Sequence, residues 1–183
     1  MVATRYDFDV KQTPDWYADW RAAFDIDVVE YEGIGIKLYR SSEVPERQLG
    51  FAVASDGRSL MGSAPGDWRS EWVVIGHDTG CGDPVFASDI APHPVFSAMH
   101  GQGYWEAKLV APSLDAFAQC FRAFQQFAAL RSTPDEVGAN PPRPKEQAQF
   151  LTVIRSLTDD DNAALGFWAV RIDVDLDSFT WPA

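Results

Sequence analysis

The chain has 183 residues, 46% of them hydrophobic, with seven Trp and twelve Phe, enough for one well-packed domain and too apolar for a disordered chain. Fifteen Lys and Arg stand against 27 Asp and Glu, a formal net charge of -12. Such a surface repels phosphate backbones and anionic lipid, which argues against nucleic-acid and membrane-surface binding.

Met1–Asp7 lacks the apolar run of a signal peptide, and no run approaches the ~20 apolar residues of a membrane span. Cys81 and Cys120 are too few for a disulfide framework, so a reducing cytoplasm is expected. The acidity would steer a basic partner, although it also serves plain solubility. Between Glu71 and Ala111, Lys108 is the only Lys or Arg, against Glu71, Asp78, Asp83, Asp89 and Glu106.

Taken in chain order, Thr13-Pro14-Asp15 predicts an N-cap followed by Pro at the first position of a short helix through about Phe24. Trp16, Tyr17, Trp20, Ala23 and Phe24 recur at helical spacing, and core packing is preferred over a ligand wall. Asp25–Tyr31 and Gly35–Tyr39 read as strands around Glu32-Gly33. Gly33-x-Gly35 opens no helix and is no phosphate loop. Leu49–Ala54 reads as a short strand ending at the turn Ser55-Asp56-Gly57-Arg58, with Leu60-Met61 as a possible return. Glu71–Ile75 has the near-continuous apolar character of a strand buried on both faces. After a Gly76–Pro84 loop, Pro84–Ala87, Pro94–Met99 and Tyr104–Ala111 read as further strands.

Ser113 is a good N-cap for a long helix to Leu130, with Leu114, Phe117, Phe121, Phe124 and Ala128 on one face. A helix this apolar must lie on the sheet. Residues 132–144, with Pro134, Pro141, Pro142 and Pro144, read as a long loop before a second helix, Lys145–Leu157. Thr158–Asp161 can cap a helix over Asn162–Val170, yet Phe167–Val170 could equally start a strand, and periodicity leaves both open. The whole reads as a single domain, 1–183, with 145–183 as a C-terminal extension.

Gly76–His100 holds His77, His93, His100 and Cys81, every His and one Cys of the chain, beside Asp78 and Asp83. No pair stands at metal-ligand spacing on a helix and no Cys-x-x-Cys exists, so no metal or other cofactor is expected. A Cys81/His nucleophilic pair is conceivable, because Gly80 and Gly82 would leave the thiol open. The acidic loop opposes thiolate formation.

Trp72-Val-Val-Ile-Gly76, the Asp/Gly loop, Asp83-Pro-Val-Phe86, Pro94-Val95-Phe96, His100-Gly101, Trp105 and Ala111–Phe117 resemble, in order, the SUKH superfamily. Those are bacterial immunity proteins and related fungal regulators of cell-wall synthesis. The likeness covers residues 68–130, and Gly50–Gly62 departs from the pattern. It implies an α+β fold, a mixed twisted sheet of about 5–6 strands with helices packed on one side. It also implies a non-enzymatic role, neutralising a toxin by tight binding. Such toxins are often nucleases, hence basic, and a basic toxin domain is the partner expected. Asp78, Asp83 and Asp89 are then the first candidates for partner contact, and Asp159, Asp160 and Asp161 the second. Two other classes stay open: a regulatory scaffold binding self proteins, and a small-ligand binder or enzyme using the 76–100 loop.

Overall fold

Six strands lie side by side in the order in which the chain makes them, β1 (Val28–Tyr31), β2 (Ile34–Leu38), β3 (Trp72–Asp78), β4 (Pro84–Ser88), β5 (Val95–Ser97) and β6 (Lys108–Ala111). The computed structural model describes residues 12–131 and 138–177. Its principal helices are α1 (Asp15–Ala23), α2 (Leu114–Ala128), α3 (Pro144–Leu157) and α4 (Asn162–Ala169), the last running into a 3-10 turn at Val170–Ile172, while the first part of the expected 132–144 loop lies outside the described residues. The fold is α+β, and every ladder is antiparallel. The resemblance implied a mixed sheet. The strands nonetheless form a meander, each pairing antiparallel with the next in the chain, and even the long 39–71 connection returns β3 antiparallel beside β2.

Local chemistry explains most boundaries. Glu32 and Gly33 both take positive φ, 51° and 79°, the two-residue turn that matches strand twist and closes the β1–β2 hairpin. Ser113 caps α2 by accepting the Ala116 amide at 3.0 Å. Asp161 caps α4 through the Ala164 amide at 2.9 Å. Phe167-Trp168-Ala169 is therefore helical, which closes the alternative of a strand there. α1 begins at Asp15, one residue later than expected, and Thr13 does not cap it. The Thr13 hydroxyl instead donates to the Ser41 carbonyl.

Leu49–Ala54 is not a strand. It coils through turns with isolated bridges at Leu49–Val53 and Val53–Ser59, because the sheet position beside β3 is filled otherwise. On β3, β2 reaches only Gly76–Asp78. The first half of β3 is completed by Gln48, fully buried, whose carboxamide accepts from the Val74 amide at 3.1 Å and donates to its carbonyl at 3.0 Å. One side chain thus does the work of a missing strand.

β4 is buried along its whole length. Phe86 pairs with Val74 and Phe96 and meets Trp68 and Trp72, each at 4.8 Å between ring centres. The alternation of a strand sends Val85 and Ala87 to the opposite face. α2 packs on β1 and β6, and Phe117, Phe121 and Phe124 are all fully buried. α3 packs on α2 through Phe127–Phe150, and α4 packs on β6. The C-terminal extension therefore completes the same core. Burying each such Phe contributes about 1.5–3 kcal/mol. Among the described residues no helix is long and apolar enough to cross a membrane.

Candidate functional site

Asp78 ends β3 and turns its carboxylate inward. Oδ1 accepts the amides of Gly80 (2.8 Å) and Cys81 (3.0 Å), and the Asp78 carbonyl accepts the Gly82 amide at 2.9 Å. Gly82 takes φ +81°, so a side chain there would strain the turn. Oδ2 receives Nη2 of Arg171, from the 3-10 turn after α4. Arg171 is 3% exposed, its guanidinium lies 3.4 Å from the Phe167 ring centre, and among the described residues its Nε has no hydrogen-bond partner. Burial pulls Arg171 down to about 10, against the opposing pull of Asp78.

This ion pair lines a groove of about 870 Å³. One wall is Cys81 and Asp83 from the β3–β4 turn, with Met99 after β5. The second is Glu106, Ala107, Lys108 and Leu109, at the start of β6. The third is Asp161, Ala163, Gly166, Phe167 and Val170 along α4. Met99 and Val170 are more than half exposed, 58% and 56%, although both are apolar. Three carboxylates line it, exposed Glu106 and half-buried Asp83 and Asp161, against one amine, Lys108. Arg171 adds no net charge because Asp78 neutralises it.

Asp83 also holds the far rim. The His100 amide donates to its Oδ1 at 2.9 Å, and His100 Nδ1 lies 2.6 Å from the same oxygen. Burial alone would raise its pKa, but the His100 amide and ring and the Cys81 thiol outweigh that and hold it below the ordinary value. The Cys81 thiol goes the other way. Burial pushes it up to about 11, with the Asp83 and Asp78 carboxylates adding to the rise. A thiol so protonated is a poor nucleophile at neutral pH.

The sequence placed six aspartates at a partner surface, and the structure sorts them. Asp78 is a correction: it is buried and bonded within the fold. Asp89 is exposed but lies at the other end of β4 from Asp83, roughly 20 Å along the strand. There it accepts Trp16 Nε1 at 2.5 Å and ties α1 to the sheet. The three candidates grouped from the sequence, Asp78, Asp83 and Asp89, thus fall at two separate ends of β4. Asp159 and Asp160 are exposed and take positive φ in the turn before α4, with Asp160 paired to Arg155. Asp161 caps α4 and lines the groove beside Asp83.

Sequence reasoning missed Arg171 and the apolar members Met99, Phe167 and Val170. The unusual pairing of Arg with a run of apolar residues at 167–172 was the only signal. His77 stands apart from the groove, with Nδ1 2.8 Å from the Tyr39 hydroxyl. Burial first, then Lys37 and Arg47, lower its pKa. His93 stacks on Trp16 at 4.3 Å. The three histidines therefore serve three places. Among the described residues no group of three or more His, Cys, Asp or Glu could hold a metal ion. No family model, curated protein or solved structure matches the chain.

Proposed function

We propose that this chain is a non-enzymatic protein-binding domain whose groove takes a basic protein, and that it acts as an immunity protein neutralising a toxin domain in the cytoplasm. The observation that carries the reading is convergence. Asp83 and Asp161 lie far apart in the chain, yet the turn of one and the helix cap of the other line a single groove with Glu106. Exposed apolar side chains, Met99 and Val170, sit among them. Apolar anchors inside an acidic rim suit a partner that is steered by charge and held by packing. A net charge of -12 extends the same field beyond the groove. The toxin class itself comes from the SUKH resemblance, and the free thiols of Cys81 and Cys120 suit a reducing compartment.

The test is association with the basic toxin domain encoded by a neighbouring gene, measured as a salt series. Asp83→Asn with Glu106→Gln should slow association by about an order of magnitude at low salt and flatten its salt dependence. Asp89→Asn, at the other end of β4, should leave both unchanged. Equal rates and slopes for all three proteins would overturn the reading.

A further inference from the structure

We infer, resting on the protein-binding reading above, that the partner enters the groove as an added strand on the edge of β6. β6 is the outermost strand of the sheet. Four consecutive residues, Glu106 and Ala107 leading into β6 and Lys108 and Leu109 within it, line the groove. Within β6 the side chains of Lys108 and Leu109 point to opposite faces, so both line one cavity because the strand's outer backbone edge faces it. Among the described residues, the backbone of Glu106, Ala107 and Lys108 makes no hydrogen bond outside the ladder to β5.

The edge is closed only further on. Trp168 Nε1 donates to the Val110 carbonyl at 3.1 Å, so α4 covers β6 from Val110 onward. Before that point α4 stands back. Its wall there is Ala163 and Gly166, and a Cβ built on Gly166 would meet no atom within 4 Å. The open length, Lys108 and Leu109 of β6 with the two residues that lead into it, accepts about 13 Å of extended chain.

The lining states the chemistry of the occupant. Asp83, Glu106 and Asp161 call for Lys or Arg, while Met99, Leu109, Phe167 and Val170 call for apolar side chains. A strand that alternates basic and apolar residues presents both at once. Backbone pairing supplies the register, and the alternate side chains supply the selectivity. A second copy of this chain is a poor occupant, since two surfaces of charge -12 repel.

The probe is the peptide acetyl-Val-Lys-Val-Lys-Val-Lys-amide, with two derivatives N-methylated on every Val or on every Lys nitrogen. Binding is followed by calorimetry and by the rate of thiol labelling at exposed Cys81, which lines the groove; Cys120 is buried and silent. The parent peptide should bind saturably and slow the labelling. One N-methyl derivative should bind about tenfold more weakly, having lost the amides that face β6, while the other binds as the parent does. Gly166→Leu should keep the melting temperature and lose the peptide, because its side chain fills the open wall. Equal binding by both derivatives overturns strand addition, as does a parent peptide that does not bind. Either result leaves the protein-binding reading to its own test, the salt series with the intact toxin domain, so the two failures are separable.

Discussion

Asp78 and Arg171, separated by 93 positions in the chain, form a buried ion pair that fastens the turn after α4 to the end of β3. The two side chains are 9% and 3% exposed. An isolated charge at either place would be stranded away from water. The pair therefore locks the C-terminal helices to the turn that carries Asp83, and the groove exists because of that lock.

Removing one partner should cost far more than removing both charges. Arg171→Met leaves the Asp78 carboxylate unpaired and should destabilise by about 3–5 kcal/mol. Adding Asp78→Asn to that variant should recover part of the loss, since the Asn oxygen still accepts the Gly80 and Cys81 amides. Urea unfolding of both variants measures this. A double variant less stable than the single one would contradict the account.

Phe121 is fully buried between Phe24 and Phe117, at ring-centre distances of 5.8 Å to each. Phe121→Ala should destabilise by about 3–5 kcal/mol through lost burial and the cavity it leaves. An unchanged melting temperature would remove Phe121 from the core.

Gln48 completes the edge of β3, so its loss is a backbone effect. Gln48→Met keeps the volume but leaves the Val74 amide and carbonyl without partners, at a cost of about 2–4 kcal/mol. Hydrogen exchange should show the Val74 amide losing protection in the variant ahead of its neighbours in β4. Uniform protection would place the bond elsewhere.

Acid stability should depend on Glu146. Hydrogen bonds from the Arg143 guanidinium and amide, followed by Arg131, hold its carboxyl down at about 2, from an ordinary 4.5. Arg143 Nη2 lies 2.5 Å from Oε1 and Arg131 Nη2 2.6 Å from Oε2. The folded value is the lower one, so the carboxylate contributes its full stabilisation above about 4.5 and loses it as pH falls toward 2. Glu146→Gln should therefore be less stable than the parent at pH 7 and show a shallower decline across that window. Parallel pH profiles would disprove the link.

The sequence by itself determined the elements whose causes are local. Ser113 followed by apolar residues at three- and four-residue spacing specifies α2, because cap and stripe act within a few residues. Glu32-Gly33 between two apolar runs specifies the first hairpin, and the apolar runs of β3 and β4 state that both faces are covered. Those signals sufficed for an α+β domain. They could not place Asp78, whose inward turn depends on a guanidinium 93 positions away, nor deny Leu49–Ala54 a place in the sheet, since Gln48 takes that edge through a single carboxamide. Tertiary structure alone brought Asp83 and Asp161 to one groove and sent Asp89 to the other end of β4. Carboxylates look alike in a sequence. Whether each is a cap, a buried partner or an open acceptor is set by donors that the chain supplies from a distance, and only packing brings those donors near.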